Sequence, residues 1–121
     1  MAPLLDGGVK VELRHIIDSY LLYVVRNSGS EEVLLRTCGR RLEGEPAAPV
    51  ASLEVKTAQG WEVYASDACP QYGPGPLLVP GDTVRGLILV PAHRGTYRVA
   101  VTYSTASKPT AFARSDEFSV P

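Results

Sequence analysis

Few side chains in this sequence have the reactivity to carry a reaction at neutral pH. Its histidines are His15 and His93, and histidine is the one side chain whose unperturbed charge changes between pH 5 and 8. His15 ends an alternating run, and His93 falls in the loop Pro91-Ala-His-Arg94. Neither belongs to a local metal-ligand spacing, and no CxxC, HxxxH or HExxH occurs. No Gly-x-Ser-x-Gly nucleophile elbow is present. Gly73-Pro-Gly75 reads as a proline-braced turn rather than a phosphate-cradling loop. The carboxylates Asp67, Asp82, Asp116 and Glu117 lie in or beside loops. A calcium ion takes six or more oxygen ligands, and no local set supplies them. The expectation is a chain with no catalytic residue, no metal and no cofactor, and so not an enzyme.

Cys38 and Cys69 are the remaining reactive pair, with thirty residues between them. Both sit among turn formers, in Thr37-Cys-Gly39 and Ala68-Cys-Pro70. Spacing alone leaves two readings open, a single disulfide or two unrelated thiols. A bridge closing that loop stabilises a fold by about 3–4 kcal/mol in the chain-entropy treatment.

A length of 121 residues suits one domain with an unaided core. The segment 1–8 reads as an N-terminal tail and 9–121 as the domain. A formal charge of −1 offers no broad footprint for nucleic acid or an anionic membrane. The small basic cluster Arg36, Arg40 and Arg41 reads as a solvated loop. No run of eighteen apolar residues is present to span a bilayer. The N-terminus lacks a signal-peptide pattern, which leaves a cytoplasmic protein or an exported one whose targeting segment is gone.

The elements that must position these groups are strands. In Gly95-Thr-Tyr-Arg-Val-Ala-Val-Thr-Tyr103, Tyr97, Val99, Val101 and Tyr103 share one face. Thr96, Arg98, Ala100 and Thr102 share the other, the period of a half-buried strand. Val9–His15 alternates likewise, with Val9, Val11 and Leu13 inward. Ser19–Arg26, Glu32–Thr37, Val50–Thr57 and Trp61–Ala65 follow, the last two as a hairpin through Ala58-Gln-Gly60. Leu77–Val79 and Thr83–Val90 flank the turn Pro80-Gly-Asp82, and Asp116–Val120 closes the chain. Gly39–Pro49, Ser66–Pro76 and Ser104–Ser115 read as loops, and Asn27-Ser-Gly-Ser30 as a turn. Such spacing predicts an all-β antiparallel sandwich of about seven to nine strands.

Asn27-Ser-Gly-Ser, Pro80-Gly-Asp-Thr and Gly95-Thr-Tyr, with the closing Phe118-Ser-Val, carry a resemblance. In that order they resemble bacterial immunoglobulin-like domains of the family named for the Bacillus intracellular proteinase inhibitor. The similarity runs from about His15 to Val120. It implies an immunoglobulin-like sandwich in which Tyr97 clamps a corner through its hydroxyl. Val99 stands where antibody-type domains place cysteine, so their intersheet disulfide is absent. Cys38-Gly-Arg, Trp61-Glu-Val-Tyr and Ala68-Cys-Pro further resemble an exported two-cysteine subset. That likeness implies a Cys38–Cys69 bridge and an extracytoplasmic location (periplasm, cell surface or secreted), with the cytoplasm as the alternative.

Two surfaces are candidates for work. Ser19–Arg26 is apolar on both faces, and Thr83–Val90 turns Leu87 and Leu89 away from Ile88 and Val90. These strands neighbour each other in immunoglobulin-like sheets, so Tyr20, Leu22, Val24, Leu87 and Leu89 form a candidate contact patch. The proline-rich loop Ser66–Pro76 displays Gln71 and Tyr72 as a candidate stiff binding loop. The expected function is a non-catalytic module of the bacterial cell envelope or surface, binding another protein or itself. A proteinase inhibitor acting through the stiff loop and a structural subunit of an extracellular fibre are the alternatives.

Overall fold

A computed structural model of the chain describes residues 8–38, 50–66 and 72–121, and every regular element among them is a strand. In chain order these are β1 (Val9–Ile17), β2 (Tyr20–Asn27), β3 (Val33–Cys38), β4 (Ala51–Thr57) and β5 (Gly60–Ser66). Then come β6 (Tyr72–Leu78), β7 (Thr83–Leu89), β8 (Gly95–Ser104), β9 (Ala111–Arg114) and β10 (Phe118–Val120). One sheet has the order β1-β2-β7; the other has the order β5-β4-β8-β3-β6, with β9 and β10 also paired to β8. All pairings are antiparallel. The chain is an all-β, sandwich-like fold.

The core follows the period of two. Leu21, Tyr23 and Val25 of β2 pack with Tyr97, Val99, Val101 and Tyr103 of β8, joined by Leu35 and Leu53. Each such aliphatic burial stabilises the fold by about 1.5–3 kcal/mol before chain entropy is counted. The β4–β5 hairpin forms as expected, pairing Thr57 with Gly60.

Three expectations need correction. Ten strands form among the described residues where about seven to nine were expected, because Ala111–Arg114 adds a short strand against Ala100–Tyr103. Two alanines among four residues carry too weak a β signal to separate that strand from its polar surroundings. The closing strand is shorter than expected, at Phe118–Val120. The loop expected through Pro76 ends earlier, since β6 starts at Tyr72 and runs through Gly73-Pro-Gly75. Proline is tolerated there because, among the described residues, β6 lies at the edge of its sheet and pairs with β3 alone.

Asn27 also departs from the expected turn role. It is the last residue of β2 and fully buried, and among the described residues Asp18 is the non-glycine residue with positive φ. Its amide Nδ2 donates to the carbonyls of Leu78 and Glu31, each at 2.8 Å, and Oδ1 accepts from the Gly29 amide at 3.0 Å. Its backbone exchanges hydrogen bonds with Gly81 and Asp82. The Asn-Ser-Gly-Ser and Pro-Gly-Asp-Thr motifs therefore meet in space. Gly81 turns there at φ +94°, a conformation that glycine adopts without penalty.

Candidate contact surface

The outer face of the three-stranded sheet is built from residues that alternate with the core set. Register aligns Ile17, Tyr20 and Leu89 in one row across β1, β2 and β7. The next row is His15, Leu22 and Leu87; beyond it come Glu12, Val24 and Arg85. Tyr20 is 45% exposed, Ile17 47%, Leu87 57% and Leu89 58%, while Leu22 is half-buried. One end of the face is thus apolar and open.

The other end is charged. Glu12 Oε1 accepts from Arg14 at 2.8 Å and from Arg26 at 3.3 Å. The Arg26 hydrogen bond, with the surrounding positive charges, holds the Glu12 carboxyl below the usual range despite some desolvation. Val24 belongs to this end and is buried at 7% exposure, so it drops out of the contact patch. It stands between Glu12 and Arg85, whose long stems can shield a small aliphatic side chain.

Ile17 is the residue that strand patterning missed. β1 continues to Ile17, and its register shifts between Leu13 and His15. Alternation counted from Val9 turns residue 17 inward; the bulged residue Arg14 reverses that and sets Ile17 opposite Tyr20.

Below the open end, the two sheets leave a cleft of ≈ 660 Å³. Ile88, Val90 and Pro91 line one side, and Leu53, Tyr64 and Ala65 line the other. Tyr64 meets the Tyr97 ring edge-on, with centroids 5.3 Å apart. Tyr97 donates its hydroxyl to the carbonyl of His93 at 2.8 Å, which ties the loop before β8 to the strand. Desolvation, then the nearby Tyr64, pushes the Tyr97 phenol above its ordinary value. His93 therefore serves the corner through its backbone, and His15 stands exposed on the outer face. Among the described residues, no three His, Cys, Asp or Glu side chains converge on a metal position.

The polar face of β8 is more structured than its sequence suggests. Arg98 stacks over Trp61 at 4.1 Å and bonds Glu54 Oε1 at 2.6 Å. Arg114 reaches the same oxygen at 3.1 Å and lies over Phe112 at 5.5 Å. A shared carboxylate thus joins β4, β8 and β9. Burial raises the Glu54 pKa, but hydrogen bonds from Arg98 and Arg114 outweigh it and leave the carboxyl below the usual range.

Cys69 and Gln71 lie outside the described residues, as do Arg40, Arg41 and Asp67. Of the expected disulfide and stiff loop, the described backbone contains Cys38, which ends β3, and Tyr72, which begins β6. Those two residues are register partners.

The fold and this face define a class: an all-β, sandwich-like domain with an open apolar sheet surface. No helix among the described residues is long and apolar enough to cross a membrane. No family model matches the chain, and no curated protein matches it. Among solved structures, the chain is similar to one described as "X-ray structure of Northeast Structural Genomics Consortium target SoR45". The identity is 14% and the TM-score 0.45, over 96% of this chain and 88% of that one.

Proposed function

We propose that this chain is a non-catalytic protein-binding or assembly module of the bacterial cell envelope or surface. The observation that carries the reading is the outer face of β1-β2-β7, where Ile17, Tyr20, Leu87 and Leu89 are exposed side by side. Exposed aliphatic and aromatic rows bordered by charge are the surface that a protein contact dries and fills. The envelope location is supported by the resemblance to exported two-cysteine domains. Inhibition of a proteinase and subunit service in a fibre remain as other outcomes of the tests.

A photoreactive amino acid placed at Leu89, and separately at Gln59 as a remote control, tests the reading in the producing cell. Adducts of defined mass from position 89 and not from 59, lost in a Leu87→Asp background, are the expected result. Equal labelling from both positions, or none from 89, overturns it. Stoichiometric loss of subtilisin activity on titration would instead move the assignment to the inhibitor.

A further inference from the structure

We infer that the outer face of β1-β2-β7 takes a short segment of a partner protein that is acidic at one end and aliphatic at the other. This deepens the binding reading above and rests on it.

The charged end of the face selects the acid. Lys10, Arg14, Arg26 and Arg85 stand there against one carboxylate, Glu12, which leaves three positive charges unbalanced on a chain whose total is −1. Glu12 is already committed, since its Oε1 accepts from both Arg14 and Arg26. Among the described residues, Lys10 and Arg85 are exposed and make no ion pair. The next carboxylate along, Asp82, is turned back to accept from the Val79 amide at 3.3 Å. Cations held in this way attract carboxylates that the three strands do not supply.

The apolar end defines the rest of the segment. Tyr20 and Arg26 lie six residues apart on β2, about 20 Å along the strand, so one short extended stretch touches both ends. Its aliphatic side chains cover Tyr20, Leu22 and Leu87, and its carboxylates face Lys10, Arg26 and Arg85. Other occupants fit less well. A second copy offers Glu12 as the one acid of this face, and two arginines already hold it. A nucleic acid satisfies the cations and leaves the apolar rows wet. An anionic bilayer meets Asp18 first, because that exposed residue turns at the β1–β2 apex beyond Ile17 and Tyr20, and a carboxylate enters hydrocarbon at high cost.

Photoreactive residues placed separately at Leu89 and at Thr83, one at each end of the face, test this in the producing cell. Both should label one partner protein. Sequencing of the cross-linked peptides should find aliphatic residues at the site labelled from position 89 and Asp or Glu at the site labelled from position 83. That peptide, synthesised, should bind the intact chain, with Kd rising on the order of tenfold in Lys10→Glu/Arg85→Glu. The remote pair Lys56→Glu/Lys108→Glu, of the same charge change, should leave Kd as it was. All four side chains are exposed, and circular dichroism confirms that the variants fold. Labelled peptides without Asp or Glu, or a Kd equal in the two double variants, overturn the inference. So does a label that falls on the chain's own sequence, in the same or a second copy, or on lipid. A partner protein labelled from Leu89 that fails these criteria leaves the broader reading standing, whereas no adduct from Leu89 removes both.

Discussion

Tyr23 and Gly86 are partners across the β2–β7 ladder, and the tyrosine ring occupies the volume a side chain at 86 would need. A β-carbon built on Gly86 would stand 2.4 Å from both Cζ and the hydroxyl oxygen of Tyr23. Tyr23 is almost wholly buried, so its ring has little room to give way. Gly86→Ala should therefore destabilise the fold by about 1–3 kcal/mol, the usual cost of overpacking. Chemical denaturation checks this, and Tyr23→Leu should make the two changes less than additive.

Asn27→Ala removes three side-chain hydrogen bonds and strands the carbonyl of Leu78 in a buried position. An unsatisfied buried group costs about 1–3 kcal/mol, so the denaturation midpoint should fall accordingly. Asn27→Asp should not restore it, because a carboxylate cannot donate to Leu78 or Glu31.

The Glu54 carboxyl is held below its ordinary pKa in the folded chain by Arg98 and Arg114, against the pull of burial. Its contribution is accordingly full above the unfolded value near 4.5 and is lost as pH falls through the folded value. Glu54→Gln should cost about 1.5–3 kcal/mol at neutral pH, the range for hydrogen bonds to charged groups. Denaturation curves of both forms should converge as the pH is lowered below 4.5.

Tyr97→Phe keeps the core ring and deletes the hydrogen bond to the His93 carbonyl. Stability should fall by about 1 kcal/mol, with faster amide exchange confined to the 91–95 loop. Uniformly faster exchange across β8 would assign the hydroxyl no corner role.

Cys38 pairs in register with Tyr72, three residues beyond Cys69 in sequence. If the bridge exists, the unfolded chain should take up no alkylating reagent until a reductant is added. Intact mass reads this directly, and two adducts without reductant would remove the disulfide and weaken the extracytoplasmic reading.

Much of the architecture was legible without coordinates, for a local reason. Period-two alternation in Val9–Leu13 and Tyr97–Tyr103 specifies strands and their inward faces residue by residue. The antiparallel sandwich follows from many such strands separated by turn residues. The apolar outer face was legible in part: parity sets Tyr20 with Leu22 and Leu87 with Leu89, and the β2–β7 register places the two pairs on one face. Val24 shares that parity but is buried, because coverage depends on which side chains flank it across strands.

Tertiary structure decided what depends on register and on residues distant in the chain. The bulge at Arg14 reversed the parity of β1 and brought Ile17 to the outer face. Pairing to an edge let Tyr72–Leu78 form a strand despite its prolines. The Glu54 carboxylate meets Arg98 and Arg114 from 44 and 60 residues away, and Asn27 reaches Leu78 across 51. Periodicity reports only the orientation of a side chain relative to its own strand. Which partner meets it depends on how the sheets pair and stack, and that is a property of the folded chain.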